Sequence, residues 1–191
     1  MNDGLPIVLF ETAQEWAGWL AENHASAAGI WLRIAKKAGP LDSVSYDEAL
    51  DTALCYGWID GQRKSFDDAS FLQKFTRRGP RSIWSKRNTE KAQALIRSRR
   101  MQLAGLKEVE RAKEDGRWDA AYEGQASASI PPDLQAALDR NAKAKAFFAT
   151  LDSRNRYAVL FRLQTAKKPE TRAKRLQQFV RMLAAGETFY P

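Results

Sequence analysis

The sequence predicts an α+β fold: a small mixed sheet with two helices forms an N-terminal lobe, and an all-helical C-terminal lobe follows. Two observations support this fold class. Short runs of β-branched and aromatic residues, which are typical of strands, end near Thr76. From Asn88 onward, hydrophobic residues instead recur at helical spacing. The 191 residues suit one compact unit with two lobes, and we place the lobes at residues 1–87 and 88–191.

The first part of the N-terminal lobe starts with a short apolar run at residues 7–10. A capping box from Thr12 to Glu15 then opens a first helix, because its hydroxyl and carboxylate can accept hydrogen bonds from free backbone amides. The β-branched and aromatic residues of 30–36 predict a strand after this helix.

The second part of this lobe adds one helix and two strands. Ser45 to Glu48 forms another capping box, and Gly57 suits the left-handed backbone that ends the helix. Residues 58–64 and 70–76 predict two further extended segments. The lobe is therefore expected to be a small sheet packed on two helices.

The C-terminal lobe is predicted to contain helices alone. Asn88 is expected to cap the first of them through its side-chain oxygen. Helices are expected over residues 88–97, 103–115, 132–141, 142–151, 153–166 and 169–185. Their predicted core is Phe147, Phe148, Leu151, Tyr157, Leu160, Phe161, Leu176, Phe179, Val180 and Leu183. Small polar residues and two prolines over 123–132 predict an internal linker.

The composition excludes several kinds of site. One Cys and one His rule out a zinc site made only of His and Cys ligands, and a single Cys rules out an intramolecular disulfide. We expect no metal and no cofactor, and we expect Cys55 to be a buried, inert thiol. No apolar run approaches the ~18–20 residues that span a bilayer. Because the first residues also lack a basic start before an apolar segment, we expect no secretory signal and a cytoplasmic location.

The formal net charge of +8 is unevenly distributed along the chain. Residues 1–62 carry 3 basic and 9 acidic side chains, whereas residues 63–117 carry 16 basic and 7 acidic ones. The remaining residues, 118–191, carry 12 basic and 7 acidic ones. The basic middle is either a binding face or a surface that attracts the acidic first third.

The densest group of cations lies between Phe75 and Asn88. Five cations and four hydroxyl or amide side chains occur there: Arg77, Arg78, Arg81, Lys86 and Arg87, with Thr76, Ser82, Ser85 and Asn88. Forked guanidinium groups next to the free amides of a helix start are suited to an anion. The alternative is that Arg81 and its neighbours pair with the acidic first third and hold the lobes together.

A second group of unusual residues lies at 53–61. Asp60 is an acid between apolar neighbours, so it needs a partner, and we expect Arg81 to supply it. Trp58 either forms the wall of a pocket or belongs to the core. The candidate binding residues are thus Trp58, Asp60, Arg78, Arg81, Ser82, Trp84, Ser85, Lys86 and Asn88. No catalytic residue is assigned.

Four segments in order resemble the YdeI/OmpD-associated family of bacterial proteins. They are 53–61 (ALCYGWIDG), 80–88 (PRSIWSKRN), 112–122 (AKEDGRWDAAY) and 169–176 (PETRAKRL). The resemblance implies protection against bacteriocins or envelope stress and association with an outer-membrane porin, and it implies no established catalytic residue. The chain departs from the family pattern at three positions, where Arg77 stands for Pro, Gly79 for Arg and Arg99 for Gly.

Three functions are compatible with these observations. The first is a non-enzymatic binding or stress-protection protein, with a basic, Trp-lined site between the lobes for an anionic small molecule or a protein partner. The second is weak nucleic-acid binding, which the basic middle and its aromatic residues favour. The third is an enzyme with a carboxylate–arginine site at Asp60, although no Walker A, GxGxxG, HExxH or GxSxG motif occurs.

Overall fold

The computed structural model describes residues 4–36 and 41–191, which contain four strands and eight helices. The first elements are β1 (Ile7–Leu9), α1 (Ala13–Asn23), β2 (Gly29–Ala35), α2 (Tyr46–Cys55), β3 (Trp58–Ser65) and β4 (Ser70–Arg77). Only helices follow: α3 (Lys86–Arg97), α4 (Leu103–Glu114), α5 (Pro132–Asp139), α6 (Ala142–Thr150), α7 (Ser153–Gln164) and α8 (Pro169–Ala184). The α+β prediction is confirmed.

The chain divides into two compact units. The first comprises Met1–Trp84 and Asn88–Ala120, so it includes the sheet and α4. The second comprises Ser85–Arg87 and Ala121–Pro191. The lobe boundary at residue 87 and the linker at 123–132 remain predictions.

The sheet of the first unit has the strand order β1-β2-β4-β3. β1 and β2 are parallel and joined through α1, whereas β4 runs antiparallel to both β2 and β3. The register of β3 against β4 shifts between Asp60 and Arg63. The three longer strands lie within one residue of their predicted bounds, because their β-branched and aromatic runs are short and separated by turn residues.

Aromatic residues dominate the core of the first unit. Trp16 of α1, Trp58 of β3 and Phe75 of β4 are fully buried. The Trp16 ring lies 6.2 Å from that of Trp58, edge to face, and 5.8 Å from that of Phe75. Both indole N–H groups are satisfied, since Trp16 donates to the carbonyl of Ala49 and Trp58 to that of His24. The second of these bonds ties the end of α1 to the start of β3.

The helix starts agree only in part with the sequence. The capping box of Ser45 and Glu48 is present in full. In the first helix, Thr12 caps the amide of Glu15, but the Glu15 carboxylate accepts from the amide of Glu11, so the predicted reciprocal bond is wrong. A full capping box would need the Glu15 carboxylate to accept a hydrogen bond from the backbone amide of Thr12.

The predicted cap of α3 is also wrong. The helix begins at Lys86, so Asn88 lies buried in its first turn. Ser85 forms a parallel bridge with Tyr122, and the Lys86 amide donates to the Tyr122 carbonyl over 2.8 Å. This pairing satisfies a backbone donor and lets the helix begin two residues early.

The second unit has a helical core that coincides only in part with the predicted one. Phe148, Leu160, Phe179 and Leu183 are buried as expected. Leu134, Leu138, Val159 and Leu163 are also buried, although they are absent from the predicted core. Phe147, Leu151, Leu176 and Val180 are only partly buried against this core. Within the described residues, no helix is both long and apolar enough to cross a membrane.

Candidate functional site

Arg78 is held in place immediately after the end of β4. Its backbone amide donates to the carbonyl of Gly57 over 3.0 Å, and its Nη1 donates to the carbonyl of Ile83 over 3.3 Å. The guanidinium lies over the Trp84 ring, 3.5 Å from Cζ to the ring centre. Because Arg78 is only 5% exposed, this charge is fixed by its surroundings and does not sample solvent freely.

A second buried arginine fixes the loop between Arg78 and Trp84. Arg117 donates from Nη1 to the Ser82 carbonyl over 2.7 Å and from Nε to both carboxylate oxygens of Asp115. Desolvation opposes ionisation of Asp115, but the bonds from Arg117 hold the pKa of this carboxyl below its ordinary value. The Ser82 hydroxyl accepts from the amide of Gly79 over 3.0 Å. These hydrogen bonds fix the loop backbone at Gly79 and at Ser82.

A cleft with a volume of about 620 Å³ lies against this loop within the first unit. Its lining is His24, Ala25, Ala28, Tyr56, Gly57, Arg77, Arg78, Gly79, Pro80, Ala104, Glu108 and Arg111. We call it the arginine cleft. Ligand pockets commonly occupy about 300–1,000 Å³, so this cleft is large enough for a small molecule.

Three arginines and a single carboxylate occur among these lining residues. Arg77 donates from Nη1 to the carbonyl of Ala25 over 2.7 Å and is otherwise exposed. Arg111 reaches the carbonyl of Gly79 over 3.4 Å and forms an ion pair with Glu108. The described lining therefore carries three arginines and one carboxylate, a composition that favours an anion.

Two aromatic side chains add polar groups to the cleft. His24 lies with Nδ1 2.9 Å from the Leu20 carbonyl, which can only accept, so Nδ1 carries a hydrogen and Nε2 remains for a ligand. The Tyr56 ring lies 5.6 Å from the His24 ring. Burial, and secondarily the Cys55 thiol, raises the pKa of the Tyr56 hydroxyl, which therefore stays a donor at neutral pH.

Two close backbone approaches position α4 beside the cleft. Gly57 ends α2 with φ +73°, as its predicted left-handed role requires, and a Cβ there would lie 3.0 Å from the carbonyl oxygen of Ala104. A Cβ at Gly105 would lie 2.7 Å from the Leu54 carbonyl oxygen and closer still to that of Cys55. Because α4 packs this tightly on the end of α2, its side chains at 108 and 111 reach the cleft.

Cys55 lies at this contact and is 4% exposed. Burial raises the pKa of its thiol to about 11. The thiolate, which is the reactive form, is therefore scarce at neutral pH. The predicted burial is confirmed, and the predicted inertness remains a prediction.

The structure separates the candidate residues of the second group. Trp58 belongs to the core and does not line the cleft. Asp60 lies on the same face of β3 as Trp58, next to the start of α2, where it accepts a 2.7 Å hydrogen bond from the Tyr46 hydroxyl. The expected pairing of Asp60 with Arg81 is wrong, because Arg81 is exposed on the loop after β4 and Tyr46 satisfies the acid instead.

The remaining candidates fall into two places. Ser82 and Trp84 hold the loop that carries Arg78. Ser85 and Lys86 belong to the second unit, where Lys86 pairs with Glu123 over 2.8 Å. Asn88 is buried in α3 and does not line the cleft. Of the nine candidates, only Arg78 lines the cleft.

Sequence reasoning did not place His24, Tyr56 and Arg111 in a site. Arg111 occupies a helix whose charges look like an ordinary solvated face, and nothing local signals that Gly105 brings this helix to the cleft. The one local signal near the cleft is Gly57, whose left-handed turn can be predicted. Ala104, the residue of α4 that packs on it, lies 47 residues further along the chain.

Comparisons with known proteins give two family matches. One family, described as "Domain of unknown function (DUF8412)", matches residues 8–108, a range that includes most of the cleft. The other, described as "Bacteriocin-protection, YdeI or OmpD-Associated", matches residues 127–186, which include α5 to α8. The second match confirms the resemblance to the YdeI/OmpD-associated family. No curated protein and no solved structure is detectably similar to the chain.

Proposed function

We propose that this chain, which belongs to the family described as "Domain of unknown function (DUF8412)", is a non-enzymatic protection protein that binds an anionic molecule in the arginine cleft. One observation carries the proposal: Arg77, Arg78 and Arg111 line one cleft whose described lining contains a single carboxylate. The match of residues 127–186 to a bacteriocin-protection family supports the protective role.

The arginine cleft is suited to an anion for physical reasons beyond its net charge. The guanidinium of Arg78 is buried, stacked on Trp84 and hydrogen-bonded, so it contributes a fixed positive charge to the lining. The exposed side chain of Arg77 and the partly exposed side chain of Arg111 supply the donors that a ligand would contact. Guanidinium forks match the oxygens of carboxylates and phosphates in geometry. The Tyr56 hydroxyl can donate a further hydrogen bond to the same ligand.

The groups in the cleft favour binding over catalysis. Glu108, which is the one lining carboxylate, is engaged by Arg111 and is therefore a poor general base. Asp60, the acid of the alternative enzymatic site, is bonded to Tyr46 and does not line the cleft. We therefore propose that protection comes from capture of an anionic molecule or of an acidic group on a protein.

The test is a survival assay in bacteria that are sensitive to a bacteriocin. Cells express the full chain, the double variant Arg77→Gln/Arg111→Gln, or the control Lys107→Gln, which removes an exposed charge from α4 outside the cleft lining. We expect survival with the original chain and the control, and loss of survival with the double variant at equal protein levels. Equal survival with the double variant would contradict a role for the cleft, and no survival with any chain would contradict the protective function.

A further inference from the structure

A second cavity, with a volume of about 550 Å³, lies wholly within the second unit, between the end of α5 and α8. Its lining is Ala137, Arg140, Asn141, Leu176, Gln177, Val180 and Arg181. We call it the α5–α8 groove. It shares no residue with the arginine cleft, so a ligand in the groove is independent of the proposed function.

The floor of the α5–α8 groove is apolar. Leu176 and Val180 are one helical turn apart on α8, so they form one continuous stripe. Both pack against the core of the unit with part of their surface and leave the rest open. Ala137 of α5 completes the floor. Covering an open apolar surface of this kind with an apolar group removes it from water, which is favourable.

Two arginines flank this floor. Arg140 and Arg181 are exposed, and neither has a carboxylate within ion-pair distance among the described residues. Arg181 makes a long 3.4 Å bond from Nε to the carbonyl of Gln177. Arg172 of the same helix differs, since it donates to both carboxylate oxygens of Asp133. The donors of Arg140 and Arg181 therefore remain available to a ligand.

The helix dipole gives a partial account of these two charges. Arg140 is the residue that caps the C-terminal end of α5, and Arg181 lies in the last turn of α8, where a cation is favourable. This effect explains a cation at each position, but it does not explain an apolar floor left open between them. A ligand with an apolar body and a negative head is complementary to both features at once.

We propose that the α5–α8 groove binds a small single-chain anionic amphiphile. Its apolar chain would cover Ala137, Leu176 and Val180, and its carboxylate or phosphate head would accept hydrogen bonds from Arg140 and Arg181. The volume of about 550 Å³ is within the range of about 300–1,000 Å³ that small-molecule pockets occupy. The two guanidiniums determine the sign of the head group, and the floor determines that it carries a chain.

The experiment titrates the full chain with dodecanoate below its micelle concentration and follows the heat of binding. Dodecyltrimethylammonium, which has the same chain and a positive head, is the matched ligand control. The double variant Arg140→Gln/Arg181→Gln is compared with Lys174→Gln, which removes an exposed charge from α8 outside the groove. We expect saturable binding of dodecanoate, at least tenfold weaker binding to the double variant, and less than twofold change for the control.

Three results would overturn the proposal. Equal binding of both amphiphiles would show that the apolar floor acts without the arginines. Undiminished binding of dodecanoate to the double variant would place the site elsewhere. The third result has two parts: dodecanoate does not bind the original chain, and sedimentation shows that Val180→Glu abolishes a dimer that the original chain forms. Together these would assign the groove to a second copy of the chain. Because Arg140 and Arg181 are exposed, the double variant is expected to fold, and the single variants Arg140→Gln and Arg181→Gln provide the same comparison if it does not.

Discussion

The guanidinium of Arg78 lies over the ring of Trp84, with Cζ 3.5 Å from the ring centre, and both side chains are at most 5% exposed. A desolvated cation–π contact of this kind contributes about 2 kcal/mol or more. Trp84 in turn packs on Trp118, with 5.0 Å between the ring centres. This stack anchors the loop that forms one wall of the arginine cleft.

The first prediction concerns this stack. Arg78→Lys should lower the free energy of unfolding by about 2 kcal/mol, because an ammonium lacks the planar surface that covers Trp84. The control is Arg81→Lys, which changes an exposed arginine of the same loop and should stay within about 0.5 kcal/mol. Denaturant unfolding measures both. Equal effects of the two variants would contradict the structural role of the stack.

The second prediction concerns Arg99, which has the left-handed φ of 58° just beyond the end of α3. The amides of Arg99 and Arg100 donate to the carbonyls of Ile96 and Leu95, which is the Schellman arrangement that favours glycine. Arg99→Gly should therefore raise the free energy of unfolding by about 0.5–1 kcal/mol, because the left-handed backbone costs a residue with a Cβ about 1–2 kcal/mol.

The matched control for Arg99 is Gln93→Gly, inside the same helix. It should lower the free energy of unfolding by about 1 kcal/mol, because glycine is a poor helix former. Thermal unfolding of the two variants should thus shift in opposite directions. A loss of stability in both would show that the backbone at residue 99 is not left-handed.

The third prediction compares two helical glycines. Gly105→Ala should be strongly destabilising, by about 2 kcal/mol or more, because its Cβ would collide with the carbonyl oxygens of Leu54 and Cys55. Gly18→Ala on α1 meets nothing within 4 Å and should stabilise by about 0.5–1 kcal/mol. Urea unfolding of both variants checks this contrast. Tolerance of Gly105→Ala would mean that α4 does not pack closely on the end of α2.

The fourth prediction concerns pH. Hydrogen bonds from Arg172 to Asp133, 2.7 and 2.9 Å long, lower the pKa of this carboxyl despite partial burial. Because the pKa of Asp133 is lower in the folded state, the pair stabilises the protein at every pH above the unfolded pKa of about 3.9. This contribution is lost as the pH falls through the folded pKa. Because both side chains are about a third exposed, the contribution is about 1 kcal/mol.

Asp133→Asn removes this titration while keeping the shape of the side chain. The free energy of unfolding, measured from pH 6 down to pH 2, should fall by about 1 kcal/mol more in the original chain than in the variant. Parallel curves for the two proteins would show that Asp133 and Arg172 do not interact in solution.

The elements could be predicted where their signals are local. The hairpin of β3 and β4 follows from two β-rich runs on either side of Asp67 and Asp68, and α2 follows from the capping box of Ser45 and Glu48. The start of α3 could not be predicted, because a backbone bond to Tyr122 determines it. The density of cations between Phe75 and Asn88 predicts a role for Arg78, but most residues that line the cleft with it come from distant elements. Arg111 reaches the cleft only because Gly105 lets the backbone of α4 contact the end of α2. No local sequence pattern predicts this contact.

The central claim is that the arginine cleft binds an anion through its own guanidiniums. A calorimetric titration of the full chain with inorganic phosphate at pH 7 and low ionic strength tests it most directly, with Arg77→Gln/Arg111→Gln as the variant and Arg81→Gln as the control. We predict saturable binding to one site that weakens at least tenfold in the double variant, weakens as salt is added, and is unchanged in the control. Absence of saturable binding to the original chain, or equal binding by the double variant, would contradict the claim.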